Sequence, residues 1–263
     1  MEIEFIDYKH NDNSLTFTIK NKEINGILGK DYHDLVNIIK LKRDHHGTIN
    51  INGEKVLKDD IQFFNKKISI VKSEFEHNYF NETVHDLMMY EITRKNIKLK
   101  NSEKKINDSL IIVGLDESYI ERKINTLSVS EKKIVQLAIS LISNPEVIII
   151  EDIFKYLDKN WEKRIIMLLQ KIKEQYSKTI VLASDNSEEI YKYTTNLIIF
   201  KNDKILATGN TYEIMQRVDF LKKNRISIPK IVEFTYLAKK KKGIKIDYHK
   251  DVRDIIKDIY KHG

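Results

Sequence analysis

The residues in this sequence with the means to do chemistry gather between Leu127 and Asp158. Glu151 and Asp152 are adjacent carboxylates, and Asp158 follows them closely. The pair closes the run Val147-Ile148-Ile149-Ile150, which reads as a strand buried on both faces of a parallel sheet. Open α/β folds place their chemistry at the carboxyl ends of such strands. Acids in that position are also commonly just solvated, so the pair alone does not decide a reaction. Ahead of the strand, Ser128 opens a helical pattern in which Ile134, Leu137, Ala138 and Leu141 share one face, and Pro145 closes it.

The elements that must position this stretch alternate in type. Residues 2–7 and 14–20 alternate apolar and polar, which predicts an antiparallel pair at the edge of a sheet. Residues 23–29 form a third strand running into Gly29, and 34–41 a short helix. Thr48 to Asn52 is a strand turned at Asn52-Gly53 towards Lys55-Val56, and 67–71 is another. Between about 80 and 142 the patterns are helical: Thr83–Thr93, Ser102–Val113 and Ser128–Ser143. Strand character returns at 147–150, 179–183 and 196–200, and the Asn202-Asp203 turn leads to a hairpin partner at 204–208. After about 211 the chain is helical and basic, with a lysine run at 239–242.

At 263 residues the chain suits one large domain with additions, or two small ones. It has no cysteine, which excludes disulfide frameworks and thiolate metal sites. No secretory segment is visible, nor an apolar run approaching the roughly eighteen residues of a membrane span, so the expectation is a cytoplasmic chain. The net charge of +7 permits contact with nucleic acid or anionic lipid, although it is spread widely in a lysine-rich sequence and reads as a solvated surface. Two prolines and eight glycines are few for an α/β protein, and phosphate-binding loops depend on glycine.

The order of these elements resembles the nucleotide-binding subunit of an ABC transporter. LSVSE stands where that family has its LSGGQ signature, and IIIEDIFKYLD where it has the Walker B strand, the catalytic glutamate and the D-loop. GTININGEKV is similar to the strand and turn after the first helix, and NKKISIVKSEFEHNYFNETV to the Q-loop region. TIVLASDNSEEI resembles the switch-histidine segment, and NLIIFKNDKILATGNTYEIM the closing hairpin. The tail FLKKNRISIPKIVEFTYLAKKKKG, with Pro229, resembles the C-terminal extension of energy-coupling-factor (ECF-type) importers, as does VGLDESYIERKINTLS before the signature. The fold this implies is α/β: an ABC-type P-loop NTPase core, RecA-like, with a mixed sheet and antiparallel edge strands. The core would occupy 1–79 and 144–210, a helical subdomain 80–143, and a C-terminal extension 211–263.

The same resemblance assigns site residues, and most of them depart from the family's types. The P-loop pattern GxxxxGK followed by serine or threonine is absent; GILGKDYHDL offers Gly26, Gly29 and Lys30 and is three or four residues short. Gly29 and Lys30 would face phosphate, yet Asp31 would repel it, and the stretch equally reads as a tight strand-to-helix turn. Tyr8 stands where an aromatic stacks on adenine, or is an ordinary edge-strand tyrosine. Ser73 replaces the Q-loop glutamine that helps hold Mg²⁺. Ser128 keeps its place and would point at a nucleotide held by the opposite subunit, or simply cap its helix. Glu131 adds a negative charge beside it. The Walker B pair is inverted: Glu151 takes the metal position and Asp152 the general-base position, one methylene short. Asp185 replaces the switch histidine, and Asp158 keeps the D-loop place across a dimer interface.

These residues admit three readings. In the first, the chain is a weakly or non-hydrolytic partner of an intact ATPase subunit in an ECF-like importer, peripheral on the inner face of the membrane. ATP and Mg²⁺ would then bind through the dimer, and a transmembrane coupling subunit would sit against the region of Ser73, Phe75, Tyr79 and Phe80. The second is an atypical but active ATPase using Lys30, Glu151 and Asp152. The third is a basic nucleic-acid-binding module with phosphate contacts from the lysines at 239–242, disfavoured because the tail resembles an importer extension.

Overall fold

The computed structural model describes residues 1–41, 46–72, 82–97, 100–242 and 246–262. Ser73, Phe75, Tyr79 and Phe80 lie outside the described residues.

The chain opens with β1 (Ile3–His10) and β2 (Asn13–Ile19), paired antiparallel with Ile3 opposite Ile19 and Phe5 opposite Phe17. The Phe5 and Phe17 rings stack with centroids 4.5 Å apart, a cross-strand pair that fixes the register. Next come β3 (Ile24–Leu28), α1 (Tyr32–Ile39), β4 (Thr48–Ile51), β5 (Glu54–Lys55), α2 (Ile61–Asn65) and β6 (Ile68–Val71). Asn52 and Gly53 both take positive φ between β4 and β5, as a two-residue hairpin turn requires. Three helices come after them, α3 (Val84–Arg94), α4 (Ser102–Ile112) and α5 (Val129–Leu141). The remaining elements are β7 (Val147–Glu151), α6 (Lys159–Gln175), β8 (Thr179–Ser184), α7 (Ser187–Tyr193), β9 (Asn196–Lys201) and β10 (Lys204–Asn210). The tail forms α8 (Thr211–Met215), α9 (Val218–Lys223), α10 (Lys230–Lys242) and α11 (Val252–His262).

The strands make two sheets. One runs β2-β1-β4-β5 and is antiparallel throughout. The other runs β10-β9-β3-β8-β7-β6, parallel except for β10 at its edge. The first hairpin therefore belongs to a sheet of its own and does not extend the parallel one. Its tip still reaches the larger sheet, where the His10 ring and the Asn11 amide bond the Asp203 carboxylate at 3.1 and 3.0 Å.

The parallel strands are buried on both faces, and successive side chains go to different cores. Ile27, Val147, Ile149 and Val181 pack with α1 and the antiparallel sheet. Leu28, Ile148, Ile150 and Leu182 pack with α3 to α7. Each fully buried Ile or Leu contributes about 1.5–3 kcal/mol, so this double-sided burial fixes the plane of the sheet. It also brings the carboxyl ends of β3, β7 and β8 together, because Leu28 pairs with Ser184 and Glu151 with Ala183. No described helix is long and apolar enough to cross a membrane.

Gly29 marks the exit of β3. Its φ is +155°, and a Cβ there would stand 1.9 Å from the Phe200 carbonyl oxygen. Gly29→Ala is expected to lower stability by at least about 2 kcal/mol, since main chain on β9 must move. At Gly53 nothing lies within 4 Å of the added Cβ, so Gly53→Ala costs only the backbone strain of its φ of +84°. Urea denaturation of the two variants checks this, and equal midpoints would reject the packing argument.

Candidate functional site

Only Gly29, Lys30 and Asp31 separate the end of β3 from the start of α1. The Gly29 amide donates to the Ser184 carbonyl at 3.4 Å, and the Tyr32 amide returns to the Gly29 carbonyl at 3.4 Å. The Asp31 carboxylate accepts the Asn202 amide at 2.9 Å, which ties the turn to the β9–β10 hairpin. Lys30 points to solvent. The amide of Gly29 and the first amide of α1 are thus engaged within the chain.

So short a turn sets the first residues of α1 directly over the ends of the strands. Tyr32 is buried at 3% exposure, and its hydroxyl donates to Oδ2 of Asp152 at 2.9 Å. Ser184, at the end of β8, donates to the other oxygen, Oδ1, at 2.8 Å. Both oxygens of Asp152 thus accept bonds from the same chain. The next residue of the helix, His33, places Nδ1 3.3 Å from Oε1 of the buried Glu151. Asp152 takes a positive φ of 44°, and the turn beyond it is held by Lys133. That buried lysine on α5 donates to the carbonyls of Asp152 and Ile153 at 2.9 and 2.8 Å.

The local field is negative. Burial raises the ionisation of the Tyr32 hydroxyl far above its usual range, assisted by its bond to Asp152 and by the charges of Asp152, Glu151 and Asp185. Glu189 on α7 is pushed up to about 7, first by burial and then by the charges of Asp152 and Glu162, against an opposing bond from Asn186. Asp185 is exposed at the start of the loop after β8.

Ser128 is the N-cap of α5. Its hydroxyl accepts the Glu131 amide at 3.3 Å, and Glu131 accepts the Ser128 amide at 2.8 Å, a capping box. Glu131 is also bonded by Tyr119 and Arg122, both at 2.8 Å, and its carboxyl is held at about 2, chiefly by the Ser128 amide. The charge of Glu131 is therefore paired and belongs to the cap. Asp158 caps α6, accepting the Asn160 and Trp161 amides at 2.8 and 2.9 Å.

Tyr8 requires a correction. Its ring is 4% exposed and sits edge-on to Phe5 in the core beneath the antiparallel sheet, so it offers no face to a base. Of the remaining residues singled out from sequence, the fold brings Gly29, Glu151 and Asp152 to one place. Ser128 and Asp158 stand at separate helix starts, and Ser73 lies outside the described residues. Tyr32, His33, Ser184 and Lys133 were missed. The available signal was the shortened loop, which draws the first turn of α1 over the strand ends.

A profile of the ABC transporter family matches residues 13–155, more than half of the chain. The chain belongs to the ABC transporter family. It is 25% identical over 226 residues to the energy-coupling factor transporter ATP-binding protein EcfA2 of Mycoplasma mobile, covering 84% of this chain and 73% of that one. It is 25% identical to the corresponding EcfA1 of Streptococcus mutans, over 82% of this chain and 78% of the relative. The solved structure of cbiO1 from Clostridium perfringens, described as part of the ABC transporter complex cbiONQ, superposes with a TM-score of 0.70 at 20% identity. That superposition covers 89% of this chain and 98% of the other, and it establishes the ABC cassette fold.

ABC ATPases as a family bind ATP with Mg²⁺, which sets a test for the residues present. A P-loop cradles phosphate with free amides, a lysine and a metal-binding hydroxyl. Here the turn is three residues, its acid is Asp31, and the position after it is filled by a buried tyrosine bonded to Asp152. As placed, this set does not fit a Mg²⁺–triphosphate.

Removing the Tyr32 hydroxyl leaves one oxygen of Asp152 short of a donor. Tyr32→Phe is expected to lower unfolding free energy by about 1–3 kcal/mol, read by urea denaturation, and no loss would show the bond to be unimportant. Glu189 supplies a pH dependence. Its folded value of about 7 exceeds the ordinary 4.5, so between these limits the folded state binds more protons than the unfolded one. Stability must then fall as pH rises from about 4.5 to about 7, and Glu189→Gln should flatten that slope. A slope unchanged in the variant would assign it elsewhere.

Proposed function

We propose that this chain is the nucleotide-binding-type subunit of an ECF-like importer whose own P-loop site neither binds nor hydrolyses ATP. The observation that carries this reading is the engagement of Asp152 by Tyr32 and Ser184, above a three-residue turn. In the general-base position a carboxylate must orient water, and a displacement of about 1 Å can lower a rate roughly a hundredfold. Asp152 is one methylene short of the family's glutamate and already bonded on both oxygens. Glu151, in the metal position, faces His33 rather than open space.

In this proposal the chain works as one half of a heterodimer. The second ATPase subunit supplies an intact P-loop and general base. Ser128 remains exposed at the start of α5, where its hydroxyl would turn from the Glu131 carboxylate to a phosphate of the partner's nucleotide. Asp158 lies at the D-loop place of the same dimer face. The similarity to EcfA1 and EcfA2 supports the pairing, as does the description of cbiO1 as part of a multi-subunit transporter. The core at 1–79 and 144–210, the helical part at 80–143 and the extension from 211 divide the work of this subunit. It sits peripherally on the cytoplasmic face, against a transmembrane coupling subunit that docks between the core and the helical part.

Calorimetry of the purified chain with Mg²⁺–ATP is expected to give no binding heat, and mixing with a motif-intact ECF ATPase should restore one nucleotide per heterodimer. Turnover by the isolated chain that Asp152→Asn abolishes, or binding that Lys30→Ala removes, would overturn the proposal in favour of an atypical active ATPase.

A further inference from the structure

The loop between β7 and α6 turns its apolar side chains inward, with one exception. Ile153 and Phe154 are buried, and Phe154 packs against Tyr193 with ring centroids 5.0 Å apart. Leu157 packs against the same core, and Asp158 caps α6. Tyr156 is 75% exposed and takes a φ of +65°. A bulky side chain on left-handed backbone is strained, because its Cβ crowds the following carbonyl. Among the described residues Tyr156 is the one aromatic in that conformation.

The loop imposes the conformation from both sides. The Lys155 amide donates to the Asp152 carbonyl and the Leu157 amide to the Phe154 carbonyl, both at 3.1 Å. Lys133 fastens the carbonyls of Asp152 and Ile153, and the cap at Asp158 fixes the exit. With its neighbours so held, Tyr156 stands outside the core. Among the described residues the partner of its ring is the Lys155 ammonium, 5.2 Å from the centroid. Glycine would relieve the strain at this position, so keeping a tyrosine here needs a use for the ring outside the monomer.

The charge beside the ring bears on what receives it. Lys155 and Lys159 are exposed on either side. The nearby acids are engaged within the chain, Asp158 by the α6 amides and Glu162 by Lys192 and Tyr193. In a pair of identical chains, a two-fold axis would set these lysines against a face that carries the same lysines. A different subunit, with acids around a cleft for the ring, meets no such repulsion.

We infer that Tyr156 selects the partner of this chain, anchoring the second ATPase subunit in an acid-rimmed cleft and disfavouring a second copy of the chain. The inference rests on the proposed heterodimer, and adds the residue and the charge that make it one.

The test mixes the full chain with the same motif-intact ECF ATPase and follows association by sedimentation velocity. Tyr156→Gly is expected to weaken association at least about tenfold, the scale of a lost aromatic anchor. Urea denaturation of the isolated variant should give a midpoint at or above that of the unsubstituted chain, because strain is released; a residue that merely stabilised its own loop would lower it. Lys155→Glu with Lys159→Glu should also weaken association, and raised salt should do the same. Tyr176→Ala, at the far end of α6 and about 25 Å along the helix, should leave association unchanged. Undiminished association of Tyr156→Gly, a lowered midpoint, equal loss in Tyr176→Ala, or a homodimer of this chain that Tyr156→Gly disperses would overturn the inference. An unsubstituted chain that does not associate with the ATPase at all rejects the heterodimer itself, whereas association that survives the loss of Tyr156 rejects this inference alone.

Discussion

The three-residue connection between β3 and α1 sets the character of the whole sheet end. With a strand and a helix joined this tightly, the first turn of the helix comes down onto the neighbouring strands. Tyr32 arrives over Asp152 and His33 beside Glu151 as a consequence of chain length. Gly29 makes the turn possible, since only a residue without a Cβ clears the main chain of β9. The Asp31 contact with Asn202 and the Ser184 contact with Gly29 then lock the turn to its neighbours.

The energetic burden at this sheet end is the satisfaction of its acids. Two carboxylates at the end of a buried strand need donors, and a buried charge left unpaired costs several kcal/mol. In ABC proteins at large, a metal ion and nucleotide can meet that need. In this chain, tyrosine, serine and histidine side chains meet it from within, and Lys133 satisfies the carbonyls of the turn behind them. These bonds satisfy the acids from within the chain, which connects the packing to the proposed role as a silent partner. The helix starts at Ser128 and Asp158 are similarly self-contained, each with its amides capped by its own side chain.

The two working faces of the proposed subunit differ in electrostatics. The strand ends concentrate Glu151, Asp152, Asp185 and Glu189, a field that repels phosphate and raises the protonation of Glu189. Among the described residues, a groove beside β6 concentrates lysine and arginine around Glu91, which Arg94 and Lys95 pair. A net charge of +7 conveys neither. Charge on a folded protein acts through where the fold gathers it.

Much of the architecture was legible in the sequence because it depends on local pattern. Alternation marked β1 and β2, apolar runs marked β3, β7, β8 and β9, and Ser128 announced the start of α5. The missing glycines of the P-loop were also plain, and with them the expectation of an altered site. Sequence separation hid the rest. Tyr32 and Asp152 are 120 residues apart, and nothing local to either marks the pairing. Tyr8 looked available for stacking because alternation gives a residue's face but not which sheet covers it, and the antiparallel strands proved to form a sheet of their own over a core. Local pattern determined the elements, and the order of motifs the family resemblance and the absence of the P-loop glycines. Tertiary structure alone decided what fills the vacated space, because that depends on which side chains a shortened turn and a parallel register bring within bonding distance.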